Sequence, residues 1–174
     1  MVTRPTLLNS CAFAATASEA RFRINGAPQP PRSTRVVALD SGAAAVVRDL
    51  AQQPWAGTRF LRYEVKAASN ADGIGTDGRL ADIVLESADG PVRLTDELID
   101  ADFMMMIATA NDGAYAASAI GSACVLRGIM TAGVIVGDGH GAHAAVNALR
   151  PHARVLLVTN DRTDIAGIMS AVGA

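Results

Sequence analysis

Residues 101–147 read ADFMMMIATANDGAYAASAIGSACVLRGIMTAGVIVGDGHGAHAAVN. A continuous apolar run at 103–108 enters a polar loop, Thr109-Ala110-Asn111-Asp112-Gly113, and a helix rich in small residues follows over 113–127. The order then repeats, with an apolar run at 132–136, the loop Gly137-Asp138-Gly139-His140, and a helix over 140–149 that stops before Pro151. Unbroken apolar runs, as opposed to alternating ones, mark strands covered on both faces, which is the situation in a parallel sheet flanked by helices.

The flanking sequence extends this pattern. VVAL at 36–39 closes on Asp40-Ser41-Gly42, a helical stretch over 42–52 ends near Pro54, and the alternating RFLRYEV at 59–65 reads as the next strand. These make a βαβ unit, whose crossover is expected to be right-handed. Segments 82–87 and 92–94 flank an Ala-Asp-Gly-Pro turn and read as a hairpin. TDELID at 95–100 reads as one helical turn with Thr95 or Asp96 as its cap. RVLLVT at 154–159 is a last strand, and 164–172 a last helix. The expected fold is α/β, a three-layer Rossmann-like domain over 36–174, with a doubly wound, mostly parallel sheet of about five strands and a hairpin insertion. Gly121, unfavourable inside a helix by roughly 1 kcal/mol against Ala, is expected to allow close packing of helix on sheet together with Ala117, Ser118 and Ala119. Residues 1–35 carry little periodicity. Their Asn25-Gly26 turn signal and following proline cluster predict an N-terminal arm suited to cover a sheet edge or a partner subunit.

At 174 residues the chain is long enough for one domain with a proper core. Half of it is apolar but only 4% aromatic, so the core must be built from Ala, Val, Ile, Leu and Met. The net charge of −2 argues against a nucleic-acid or anionic-membrane partner. Of the 15 basic residues one, Lys66, is a lysine, a bias that reflects genome composition more than a phosphate-binding design. Cys11 and Cys124 give neither a disulfide framework nor a zinc spacing, and Cys124 is expected to be packed in its helix. LLNSC at 7–11 is similar to a lipoprotein cleavage box, but the stretch before it is too short for an apolar leader region. No window approaches the ~18 apolar residues of a membrane span, and the cytoplasm is the expected location.

In open α/β sheets ligands bind outside the carboxyl ends of the strands, where the strand order reverses. Four polar loops should converge there: Asp40-Ser41-Gly42, Thr109 to Gly113, Gly137 to His140, and Thr159-Asn160-Asp161. If the order reverses between the strand at 36 and the strand at 103, the crevice lies between Asp40 and Asn111. The ligand-binding candidates are therefore Asp40, Ser41, Gly42, Asn111, Asp112, Gly113, Asp138, Gly139 and His140. Helix capping is the competing explanation, and by itself would account for Ser41, Asp112, Asp138 and Thr163.

Asp138, His140 and His143 are metal-compatible side chains, but their spacing is that of no known zinc motif and a glycine-rich helix start is a poor rigid scaffold. Asp138-Gly-His140 resembles the Asp-x-His-x-x-Gly signature of cobalamin-binding domains. His143 stands where that family has glycine, and too little chain follows for its later elements. Gly73-Ile-Gly75-Thr-Asp-Gly78 matches GxGxxG without the preceding strand or following helix that give the motif its mechanism, and reads as a loop. Ser41 and Ser118 lack the GxSxG context of a nucleophile elbow.

The second half resembles the nucleotide-binding domain of the bacterial tubulin-like division GTPases (FtsZ family). The matching residues are Ala101-Asp102, the apolar strand FMMMIATA and NDGAYAAS, then Asn160-Asp161-Arg-Thr-Asp164 followed by IAGIMS, over about 70 residues. That family's glycine-rich phosphate loop is reduced here to Gly113, and the chain between the matching segments is much shorter. The resemblance implies a Rossmann-like sheet with a ligand edge more than it implies GTP hydrolysis. Three functions follow as expectations. The first is binding of a small nucleotide or phosphorylated ligand at the strand ends. The second is Mg²⁺-dependent phosphoryl-transfer or hydrolytic chemistry on the acidic cluster, with His140 as the catalytic acid/base candidate. The third is a ligand-free assembly or regulatory subunit. A homo-oligomer is expected throughout.

Overall fold

The computed structural model describes residues 32–64 and 83–172. The GxGxxG loop, Asn25-Gly26, Cys11 and most of the arm lie outside them. Seven strands form one sheet: β1 (Thr34–Ala38), β2 (Thr58–Tyr63), β3 (Val84–Ser87), β4 (Gly90–Arg93), β5 (Phe103–Ala108), β6 (Met130–Val136) and β7 (Val155–Thr159). Their order is β4-β3-β2-β1-β5-β6-β7. β1 pairs parallel with both β2 and β5, and β5, β6 and β7 continue in parallel. The β3–β4 hairpin adds an antiparallel end beside β2. The five expected strands are thus the parallel ones, the hairpin brings the count to seven, and β1 begins two residues earlier than its apolar run.

The apolar runs work as a two-sided core. From β5, Phe103, Met105 and Ile107 pack to one side with Ala43, Val46, Val47 and Leu50 of α1 (Ser41–Leu50) and Ile165 and Met169 of α5 (Arg162–Val172). Met104, Met106 and Ala108 pack to the other side with α3 (Ala114–Arg127) and α4 (His143–Leu149). The buried positions of α1 recur at i, i+3, i+4 and i+7, one stripe of a 3.6-residue period. The helix ends are closed individually. Trp55 Nε1 donates to the Leu50 carbonyl at 2.9 Å, and α3 terminates at the left-handed Gly128, after which Ile129 N–H reaches back to the Cys124 carbonyl. The short α2 (Leu94–Glu97) follows β4 and starts at Arg93 with no side-chain cap, so neither Thr95 nor Asp96 holds that role.

Gly121 has a different cause from the expected helix-on-sheet approach. A Cβ there would lie 2.7 Å from atoms of the His152 side chain, so the glycine lets α3 accept His152 from the turn that follows α4. Cys124 is buried as expected, and burial pushes its thiol up to about 12, which leaves it a packed, unreactive side chain at neutral pH.

Charge is buried at the amino ends of the strands, and no apolar pattern announces it. Arg35 on β1 is 6% exposed and Glu97 on α2 is 4% exposed. Arg35 Nε lies 2.7 Å from Glu97 Oε2, and Arg59 on β2 approaches Oε1 at 3.1 Å. Arg35 also donates to Ser33 Oγ and to the Thr34 carbonyl. Removing one member of a buried pair leaves the other desolvated and uncompensated. Glu97→Leu is therefore expected to destabilise the protein by about 3–5 kcal/mol in urea denaturation, and Arg35→Met in the same chain to recover most of that loss, since the half-exposed Arg59 can return to water.

Candidate functional site

The strand order reverses between β1 and β5, the place anticipated for the crevice. The loops that leave those two strands do not stand apart there. They are joined by Asp40, which is 4% exposed. Its Oδ2 accepts from Thr109 N–H at 2.7 Å and Ala110 N–H at 3.0 Å. Its Oδ1 accepts from the Thr109 hydroxyl at 2.6 Å and from Ala43 N–H at 2.8 Å, the last being the N-cap bond of α1. Two glycines permit this approach. A Cβ at Gly42 would fall on Thr109 Oγ1, and one at Gly113 on the Leu39 carbonyl oxygen. Gly42 and Gly113 thus let the loops touch. Asp40, not Ser41, caps α1.

Asn111 turns the other way. Its Oδ1 accepts from Ala144 N–H at 2.7 Å and Ala145 N–H at 3.4 Å, at the start of α4. The residue preceding that helix, Ala142, offers no side-chain cap, so a loop 33 positions upstream supplies it. This also explains why α4 begins at His143 and not at 140. Asp138 does not cap the helix; its Oδ1 accepts from His140 N–H at 3.0 Å and closes the turn in which Gly137 and Gly139 take positive φ. The His140 and His143 rings meet edge to face with centroids 6.3 Å apart. Among the described residues no three His, Cys, Asp or Glu side chains converge as a metal cluster.

The cavity at this edge lies on the β1–β2 side of the reversal point. Its volume is about 500 Å³. Three of the anticipated residues line it: Asp40 and Ser41 from the start of α1, and Asp112 from the β5–α3 loop. Asn111, Asp138, Gly139 and His140 do not. The rest of the wall was not foreseen: Ala44 and Arg48 from α1, and Arg62, Tyr63 and Glu64 from the end of β2. Ser41, Ala44 and Arg48 follow the i, i+3, i+7 spacing of one helix face, a signal present in the sequence once α1 is set beside β2. The end of β2 carries no capping or glycine signal in the sequence that would mark it as a site.

The site carries both signs of charge. Arg62 and Glu64 form an exposed pair at 2.5 Å, with Arg48, Asp112 and the internally bonded Asp40 as the further charges on the wall. The Tyr63 hydroxyl is held above its ordinary range, first by burial and then by the neighbouring Tyr115. At the far end of the same sheet edge, Asp161 caps α5 by accepting from Thr163 N–H at 2.8 Å and from its hydroxyl at 2.7 Å. These bonds hold the Asp161 carboxyl below the ordinary aspartate range, the hydroxyl contributing most.

Fold and site together define a Rossmann-like α/β protein with a polar, mixed-charge cavity at the carboxyl ends of β1 and β2. No protein-family model matches the chain, and no curated protein matches it significantly. No described helix is long and apolar enough to cross a membrane.

Two measurements check this geometry. Asp40→Ala removes a cap and an inter-loop clamp at once, and should cost at least ~3 kcal/mol in chemical denaturation, since hydrogen bonds to a charged group contribute ~1.5–3 kcal/mol each. A loss of only ~1 kcal/mol would be that of a simple N-cap, and would remove the clamp. For Asp161, a carboxyl pKa lowered by folding contributes stability above the ordinary aspartate range that is lost as pH falls through the lowered value. Thr163→Val should raise the Asp161 midpoint in an NMR titration part of the way back, because the Thr163 N–H remains.

Proposed function

We propose that this protein is a binding domain for a small anionic, hydroxyl-bearing ligand, of the nucleotide or sugar-phosphate class, held between α1 and the end of β2. The observation that carries this reading is the placement of two guanidiniums, Arg48 and the Glu64-paired Arg62, with the carboxylates of Asp112, Glu64 and the internally bonded Asp40 on one ~500 Å³ cavity. Guanidinium groups match phosphate oxygens in a planar, bidentate geometry. Carboxylates on the same wall suit the hydroxyls of a ribose or sugar, as the acidic residue does in dinucleotide sites. The volume falls in the usual range for small-ligand clefts, ~300–1,000 Å³. The Ser41 hydroxyl at the first turn of α1 adds a donor to the wall, while the N–H of Ala43 at that helix end is already taken by the Asp40 carboxylate. The resemblance to tubulin-like GTPases adds support for a nucleotide.

Binding is favoured over Mg²⁺-dependent phosphoryl chemistry by what the acidic residues do. Asp40 accepts four hydrogen bonds from within the fold. Asp138 closes its own turn, and His140, the acid/base candidate, does not line the cavity. The acidic charge balance and the polar cavity fit a cytoplasmic protein whose partner is a small molecule and not a nucleic acid or membrane. An assembly role is favoured by a separate feature, the edge of β7, which among the described residues pairs with β6 alone.

A thermal-shift panel of nucleotides and sugar phosphates, each with and without Mg²⁺, tests the proposal. A ligand at a hundred times its Kd stabilises by about 2.7 kcal/mol, which moves Tm by several degrees at ~2–4 °C per kcal/mol. The shift is expected in the parent and absent in Arg48→Ala/Arg62→Ala, two exposed positions whose loss should leave the unliganded Tm nearly unchanged. A shift that survives the double variant, or none across the panel, overturns it. A shift that requires Mg²⁺ and also disappears in Asp112→Asn supports the phosphoryl-transfer alternative instead.

A further inference from the structure

The two edges of the sheet are built differently. β4 (Gly90–Arg93) is four residues long and carries Pro91 and Arg93, devices that discourage another strand from adding to an edge. β7 (Val155–Thr159) reads VLLVT, with no charge, proline or glycine, and among the described residues it pairs with β6 alone. Val155 is 51% exposed and Val158 46% exposed. They project from opposite faces of the sheet, since Val155 sits beside Ala132 and Val158 beside Ile135 in the β6 register.

The charges around β7 say what fits it. Arg150 and Arg154 lie before its amino end; Asp161, Arg162 and Asp164 lie after its carboxyl end, where Arg162 is paired with Asp49, and the chain is exposed at all five. The strand is thus basic at one end, acidic at the other and apolar between. An antiparallel copy of the same strand meets that pattern with its inverse, and an antiparallel edge-to-edge pair is the arrangement that a two-fold axis perpendicular to the sheet produces.

We propose that β7 is the interface of a homodimer in which two sheets join edge to edge through antiparallel β7 strands. With the axis at Leu157, Val155 stands opposite Thr159 of the second copy and Leu156 opposite Val158. Arg154 then reaches the Asn160-Asp161 corner of the second copy at each end. The backbone groups of the edge, which among the described residues face no further strand, find partners, and each exposed valine gains a side-chain neighbour on its own face of the joined sheet. The proposal is independent of the cavity, which lies at the other side of the sheet beside β2.

Sedimentation equilibrium of the purified full chain over the micromolar range tests it. The parent is expected to have the mass of two chains. Val158→Lys, at a half-exposed position, is expected to sediment as one chain with its thermal transition retained. Arg154→Glu and Asp161→Arg should each weaken the dimer on the order of tenfold or more, because each sets like charges together at both ends. The double swap Arg154→Glu/Asp161→Arg should restore it, and this rescue remains decisive if Val158→Lys fails to fold. A parent that stays a single chain overturns the proposal and points to a different protein as the occupant. A dimer untouched by Val158→Lys, or a charge swap without rescue, overturns it as well.

Discussion

One carboxylate holds the centre of this molecule. In a doubly wound sheet the two halves diverge from a central pair of strands, and the loops leaving that pair run in opposite directions. Nothing in the sheet ladder itself ties those loops together. Asp40 does so, binding two backbone N–H groups and a hydroxyl of the β5–α3 loop while capping its own helix. With four donors around one buried carboxylate, desolvation is compensated bond for bond. Gly42 and Gly113 are conditions of the same contact, since a side chain at either would hold the loops apart. The loops at the reversal point are thus tied to one another by the protein's own groups, and the cavity lined by Asp40, Ser41 and Asp112 extends from them to the end of β2.

The sheet was legible because burial on both faces leaves an unbroken apolar run, and 103–108 and 132–136 have no other ready explanation. The reversal between the strands at 36 and 103 follows from the same reading and is observed. The polar loops were harder. Local capping logic assigns Asp and Asn to the helix that follows them, and that holds for Asp40 on α1 and Asp161 on α5. It fails for Asn111, which serves α4 across 33 residues, and for Asp138, which serves a turn. Which distant amide a side chain satisfies is decided by tertiary geometry, which carries no short-range periodicity. Arg35 and Glu97 were missed for the same reason, being 62 residues apart and meeting only when α2 folds beneath the amino ends of the strands.

The two ends of the sheet thus divide their roles by charge burial. At the amino ends, Arg35 and Glu97 are almost fully enclosed and partnered by the fold. At the carboxyl ends, Arg48, Arg62, Glu64 and Asp112 remain exposed on a concave wall. Buried pairs contribute little net stability and resist change, whereas exposed charges keep their capacity to meet a solute. That contrast, more than the count of acidic residues, separates architecture from candidate site in this chain.

The clamp also bears on how well such a wall would bind. Affinity is lost when a ligand must first order the groups that hold it. Here Ser41 is next to Asp40 and Asp112 is two residues from Ala110, both held by the Asp40 bonds, and Arg62 stands near the end of a strand and is paired on both sides. The backbones of Ser41, Asp112 and Arg62 are thus held by the fold's own bonds, which leaves their side-chain rotamers for a ligand to fix. The β7 edge lies four strands from β2 in the sheet order, with β1, β5 and β6 between. Pairing there would leave the cavity wall untouched, so binding and self-association would influence one another only through the rigid central strands, the part of the fold with the least freedom to move.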